Sequence, residues 1–148
     1  MAKIISFRGL LESGGQDQIA LQTNNGMTGY KITKLQLMLP NPGTSAAESV
    51  IKIYKTKQST IDSLVDFSDN TMIGAGFLAH DNAPQYSSVE VIIFDSEKFN
   101  QDIYVTHNNS HSGAIACNYY IEMEVSKLDL NEQTVATLKD IRNNKVPS

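Results

Sequence analysis

The sequence contains no tryptophan, one cysteine and only four prolines in 148 residues. A single cysteine excludes an intrachain disulfide and a metal cluster built from several thiolates. Without tryptophan, the chain lacks the largest aromatic surface on which a sugar ring could stack. Cys117 lies in an apolar segment, so we expect a buried and unreactive thiol.

Positive charge and long apolar runs are also scarce. The 12 basic residues are scattered and the net charge is −4, so no basic surface is predicted on which nucleic acid could displace counterions. The apolar run at 89–94 is far shorter than the roughly 20 residues that cross a bilayer, and no signal-peptide pattern opens the sequence. We therefore expect neither nucleic acid nor membrane as a direct partner, and synthesis in a cytosol-like compartment.

What the chain does contain is a series of short β-favouring runs separated by clusters of Gly, Asn, Asp, Pro and Ser, a pattern typical of antiparallel sheets. It predicts an all-β fold: an antiparallel, jelly-roll-like β-sandwich of about eight strands with a short C-terminal helix. The sandwich is assigned to residues 1–130, and the helix with its tail to residues 131–148. The predicted strands are 3–10, 18–23, 30–39, 49–55, 71–79, 89–95, 103–107 and 115–127.

Three local features refine this prediction. The apolar phase slips between Ile32 and Leu35, which indicates a β-bulge. The small residues Gly74 and Gly76 favour close packing of their strand. The polar segment 56–70 is long enough to pass from one sheet to the other as a Greek-key crossover.

The last segment changes to a helical period. Asn131 is a good N-cap, and the apolar residues recur every three or four positions after it. A helix of about 12 residues is marginal alone in water, so its apolar stripe should dock either on its own sandwich or on a neighbouring subunit. The predicted interaction residues near this face are Val135, Leu138, Ile141 and Arg142.

Histidine spacing offers only a weak metal motif. His107 and His111 are four residues apart, as in helical metal pairs, but 108–113 reads as a loop. We therefore expect surface or loop histidines and no metal ligands. The Gly74 to Gly76 segment lacks the spacing of a phosphate-binding loop.

Carboxylates occur in two clusters. Asp62, Asp66 and Asp69 do not match the EF-hand pattern, so local turn hydrogen bonds are expected there. The cluster at 95–102 resembles a glycosidase pair only in residue type, and solvated strand ends are the expected role. No catalytic residue, metal or cofactor is predicted, and we expect the protein not to be an enzyme.

Several segments resemble a family of small virion structural proteins of marine tailed bacteriophages. They are TNNGMTGYKI at 23–32, IFD at 93–95, FNQDIYVTH at 99–107, NYYIE at 118–122 and LDLNEQTVATLKDIRN at 128–143. The resemblance covers most of the chain and brings no catalytic residues with it. It implies a component of the virus particle.

Fold and resemblance together predict a capsid decoration (cement) protein. Its expected partners are the major capsid protein or other virion proteins and further copies of itself, and its expected location is the capsid exterior or the tail. A tail or neck component is one alternative. A glycan-binding module on the same scaffold is another, which the six tyrosines keep open.

Overall fold

A computed structural model describes residues 3–22, 26–42, 46–81, 86–94, 98–129, 131 and 134–138. Within these ranges eight strands form two antiparallel sheets, and residues 131 and 134–138 are helical. The predicted eight-stranded, all-β sandwich is confirmed. The strands are β1 (Lys3–Leu11), β2 (Gln16–Ile19), β3 (Thr28–Met38), β4 (Ala47–Tyr54), β5 (Met72–Asp81), β6 (Tyr86–Ile93), β7 (Ile103–Asn109) and β8 (Cys117–Lys127).

The strand order is that of a jelly roll with one displaced strand. The three-stranded sheet has the order β1-β8-β3, and the five-stranded sheet has the order β2-β7-β4-β5-β6. A jelly roll folds a long hairpin onto itself, so that strands 1 and 8, 2 and 7, 3 and 6, and 4 and 5 pair. Here β6 pairs with β5 instead of β3. The displaced strand therefore lies at an edge of the larger sheet.

The core lies between the sheets and follows the period-two pattern of the strands. In β8 every second residue from Cys117 to Met123 is buried, and the residues between them are partly exposed. β4 and β7 supply the facing layer of branched side chains. The most completely buried apolar residues are Ile51, Ile53, Ile103, Val105, Cys117, Ile121 and Met123, each 0% exposed.

Two β-bulges adjust the registers. The register of β3 against β8 shifts between Ile32 and Lys34, which confirms the predicted bulge. A second shift leaves Ile73 as an extra residue between the pairs Ile53–Gly74 and Tyr54–Met72. In a regular strand Ile73 and Leu78 would lie on opposite faces, because they are five residues apart. The bulge at Ile73 lets both side chains enter the same core.

Glycine permits close approach of the two sheets at one point. A Cβ atom on Gly76 would lie 2.8 Å from Cδ1 of Leu37, which belongs to the opposite sheet. The expected close packing is therefore confirmed at Gly76.

The connection at 56–70 does not cross between the sheets. It joins β4 to β5, which are hydrogen-bonded neighbours in the five-stranded sheet, so the predicted crossover is wrong. The segment instead lies on the outer face of that sheet, where Gln58 exchanges two hydrogen bonds with Gln16 of β2. The polar residues of this segment, which had indicated a crossover between the sheets, form these contacts instead.

Candidate functional site

A buried lysine holds the 56–70 connection against the sheet. Lys52 alternates with the core residues Ile51 and Ile53, so its side chain leaves the outer face of β4. Only 4% of that side chain is exposed. Its ammonium donates to Asp62 Oδ1 at 3.1 Å and to the Leu64 carbonyl at 2.6 Å. A buried ammonium needs such partners, so Lys52 fixes the position of the residues that follow Asp62.

Asp66 and Asp69 shape the rest of the connection through local bonds. The Asp66 carboxylate accepts hydrogen bonds from the Ser68 hydroxyl at 2.6 Å and the Ser68 amide at 2.9 Å. The hydroxyl and amide bonds of Ser68 lower the pKa of Asp66. Asp69 binds Thr71 in the same way. These contacts confirm the expected turn aspartates.

Because the connection is fixed, it forms an exposed apolar surface with β5 and β6. Phe67 is 61% exposed and Val89 is 52% exposed, and the Phe67 ring meets the edge of Phe94 at 5.1 Å between centroids. We call this the β5–β6 apolar surface, which comprises Val65, Phe67, Phe77, Val89, Val91 and Ile92. These side chains line one shallow groove with Ala75, Gly76 and Glu90.

The exposed area of these six side chains is roughly 500 Å² by the usual sizes of such residues. It is divided between the two faces of β6, with Val89 and Val91 on the inner face and Ile92 on the outer face with Phe77. The largest apolar patches of monomeric proteins reach a few hundred Å² and are often functional. The sequence showed the apolar run at 89–93 and the four apolar residues in the 56–70 connection, Ile61, Leu64, Val65 and Phe67. It did not show that β6 and the connection meet.

The predicted interaction residues of the helix lie elsewhere. Val135 and Leu138 are each 53% exposed. The helix touches the sandwich through Thr137, whose hydroxyl lies 3.2 Å from the Asn100 side-chain amide. Ile141 and Arg142 lie outside the described residues. About half of Val135 and of Leu138 stays exposed beside the sandwich, and their role in binding stays a prediction.

The histidines separate into two environments. His107 is a core residue of β7, 0% exposed, and its Nδ1 lies 2.8 Å from the Leu11 carbonyl. The expectation of a surface or loop position is therefore wrong for His107, because β7 continues to Asn109. His111 lies in the following turn and accepts a hydrogen bond from the Gly113 amide at 3.3 Å. Across the described ranges, no three His, Cys, Asp or Glu side chains are grouped to hold a metal ion.

The other residues that the sequence singled out are Cys117 and the carboxylates at 95–102. Cys117 is 0% exposed, as expected, and burial raises the pKa of its thiol to about 11. Asp102 accepts hydrogen bonds from the Gln18 side chain and the Leu21 amide, both at 2.9 Å. The other two carboxylates of its cluster, Asp95 and Glu97, lie outside the described residues.

No protein-family model and no curated protein sequence matches the chain. In the part of the chain that the structure describes, no helix has the length and apolar character needed to span a bilayer.

The Lys52–Asp62 pair should respond asymmetrically to mutation. Asp62→Ala leaves a buried ammonium without its counter-charge, and because Asp62 is half-exposed we expect a loss of only about 1–2 kcal/mol in the free energy of unfolding. Lys52→Met removes the charge itself, and we expect a change of about 0.5 kcal/mol or less. Urea denaturation of both variants measures this order. A larger loss for Lys52→Met than for Asp62→Ala would contradict it.

Proposed function

We propose that this protein is a structural component of a virus particle, a capsid decoration protein that binds the shell and its own copies. The β5–β6 apolar surface is the observation that carries the proposal. A soluble domain with an apolar patch of this size gains free energy when another protein covers it. The resemblance to virion structural proteins suggests the setting in which such copies meet.

The polar side chains support a binding role over a chemical one. Lys52, Asp66, Asp69 and Asp102 each form hydrogen bonds that hold the connection or the strands in place. A catalytic group needs a partner poised toward substrate, and these groups are engaged with their own chain. These four polar side chains therefore stabilise the fold that presents the β5–β6 apolar surface.

The tyrosines give little support to the glycan-binding alternative. Tyr30, Tyr54 and Tyr119 are 5–6% exposed, so their rings are not available to stack a sugar. Tyr119 also donates its hydroxyl to Asp17 at 2.8 Å inside the sandwich. Tyr104 and Tyr120 are partly exposed, and the most exposed aromatic side chains among the described residues are Phe67 and Phe77. A protein-binding surface accounts better for these two phenylalanines.

Quantitative mass spectrometry of purified particles tests the proposal. We expect this chain in the particle at a copy number comparable to that of the major capsid protein. A copy number far below that level would favour a tail or neck component instead. Its absence from purified particles would contradict a structural role.

The helix provides the second contact in this proposal. Val135 and Leu138 are each about half-exposed in the described part of the helix, so we assign their exposed sides to a neighbouring subunit, with Ile141 and Arg142 completing the predicted stripe. Deletion of residues 131–148 should abolish binding to particles that lack the protein.

Point variants distinguish a direct role of the helix in particle binding from an effect of the deletion on folding. The double substitution Val135→Asp and Leu138→Asp should weaken particle binding at least tenfold, because it places two carboxylates in an apolar contact. The free energy of unfolding should change by less than about 0.5 kcal/mol, as for other surface substitutions. Leu10→Asp is the matched control, since Leu10 is 56% exposed on β1. Normal binding by the helix variant would show that the helix is not the anchor.

A further inference from the structure

The four edge strands of the two sheets differ in how well they are protected against pairing with a strand of another molecule. β2 has only four residues, and β1 carries Lys3 and Arg8, both features that discourage edge-to-edge pairing. The edge of β3 has a bulge, and Phe99 occupies part of it through two hydrogen bonds with Tyr30, at 2.8 and 2.9 Å. Three of the four edge strands therefore have a feature that opposes pairing with another strand.

The edge strand β6 has none of these protective features. It is eight residues long without proline, glycine or a register shift, and Glu90 is its one charged residue. Val89, Val91 and Ile92 are each at least 38% exposed, so both faces of this edge strand present apolar side chains. Within the described residues, β6 pairs only with β5. A strand of this kind is a template for pairing with another strand.

The hydrogen bond next to the strand end shows which backbone groups face the open edge. The Phe94 amide donates to the Ile73 carbonyl at 3.1 Å, and this bond flanks the Gly74–Ile93 pair. Gly74–Ile93 is therefore a non-hydrogen-bonded pair of the antiparallel ladder. The ladder alternates and has no shift, so the N–H and C=O groups of Val89, Val91 and Ile93 point away from β5.

We propose that β6 of one copy pairs antiparallel with β6 of a second copy, about a twofold axis at Val91. The main-chain groups of Val91 then bond those of Val91 in the second copy, and Val89 pairs with Ile93 on either side. The pairing joins two five-stranded sheets into one continuous sheet. It is isologous and closes at two copies, unlike open edge-to-edge growth.

Charge disfavours one of the neighbouring registers. A twofold axis at Glu90 would place the two Glu90 carboxylates directly opposite each other, which destabilises a strand pair. With the axis at Val91, Glu90 lies opposite Ile92. The inner face then contains only apolar pairs, Val91 with Val91 and Val89 with Ile93.

The two β5–β6 apolar surfaces lie side by side when β6 pairs with β6. Together they expose roughly 1,000 Å² of apolar area, of which edge pairing covers the part that flanks β6 and adds it to the main-chain hydrogen bonds of the joint. Pairing extends the sheet and brings the Phe67 and Phe77 sides of the two copies into one apolar strip along the joint. The strip is continuous with the groove beside β6.

This inference deepens the self-association part of the proposed function, and it is tested on purified protein without particles. Sedimentation equilibrium should show a dimer for the wild-type protein. Val91→Lys and Val91→Asp should each weaken dimerisation at least tenfold, because each places two like charges opposite each other across the axis. An equimolar mixture of the two variants should restore the dimer, since opposite charges then meet.

Two controls define the register and the fold. Val91→Lys mixed with Ile92→Asp should associate far more weakly than Val91→Lys mixed with Val91→Asp. Residues 91 and 92 lie on opposite faces of the strand, so the two new charges do not meet, and the carboxylate at position 92 lies opposite Glu90 of the other copy. Leu10→Lys, which adds the same charge on β1, should remain dimeric, and circular dichroism should be unchanged for all variants. A monomeric wild-type protein, or dimeric Val91→Lys, would overturn the proposal. So would failure of the Val91→Lys and Val91→Asp mixture to associate. Failure to bind particles would contradict the proposed function and leave the dimer intact.

Discussion

Gly29→Ala is expected to lower the free energy of unfolding by about 2 kcal/mol, the usual cost of overpacking a core. Gly29 lies in β3, and the Cβ atom of an alanine would contact Cδ2 of Leu128 and lie 2.8 Å from its Cγ. Leu128 is 2% exposed, and its amide is bonded to the Met27 carbonyl at 2.8 Å. The leucine is therefore held by its backbone and cannot relieve the clash by turning into solvent.

Gly113→Ala is the matched control for this substitution. A Cβ atom there would find only ordinary contacts, the nearest at 3.7 Å to His111 Nδ1. Replacing glycine in an unstrained position usually stabilises slightly through the unfolded chain, so we expect no loss at Gly113. Urea denaturation of both variants measures the difference, and equal stability would contradict the assigned packing of Leu128.

A second substitution locates the cost at the contact itself. Leu128→Ala alone should destabilise by about 2–5 kcal/mol, because it empties a buried site. In the Leu128→Ala background, Gly29→Ala should cost much less than in the wild-type protein, since the clash is gone. Additive losses would show that Gly29 matters through the backbone instead.

Local pattern was enough to predict the strands and one bulge. The prediction of 30–39 matches β3 (Thr28–Met38), and the phase slip near Ile32 appears in the register, because period-two alternation is a property of neighbouring residues. Burial of Cys117 followed from its place in an apolar segment. These features need no knowledge of which strands meet.

Pairing between distant strands could not be read in this way. The apolar run at 89–93 fits a strand buried on both faces as well as an exposed edge strand, and only the topology places β6 beside β5 with one edge open. The same lack of long-range information produced the wrong crossover at 56–70. The role of Lys52 was equally hidden, because a lysine in a strand ordinarily indicates a solvated face.

His107 was placed by the sequence near the end of a strand and beside a loop, and its burial gives the chain a pH dependence. The ring is 0% exposed, and Nδ1 carries a proton because its partner, the Leu11 carbonyl, only accepts. Its Nε2 has no hydrogen-bond partner among the described residues. Desolvation lowers the pKa of His107, while the bonds to the carbonyls of Leu11 and Glu12 oppose that effect.

The direction of the pH dependence follows from this lowered pKa. Below the unfolded-state pKa of about 6.5 the unfolded chain takes up a proton that folded His107 still refuses, so stability falls by at most about 1.4 kcal/mol per pH unit. The loss continues down to the folded-state pKa and then levels off. Above about pH 6.5 both states hold the neutral ring, and His107 contributes no slope.

Replacement of His107 by glutamine isolates this contribution. The glutamine amide can donate to the Leu11 carbonyl but does not titrate, so the variant should lose less stability than the wild-type protein between pH 7 and pH 5. The carboxylates are the same in both proteins, and their contributions largely cancel in the difference. Urea denaturation at a series of pH values measures both slopes. Identical slopes would mean that folded His107 accepts a proton as readily as the unfolded chain, and hence that the imidazole is not held neutral in the core.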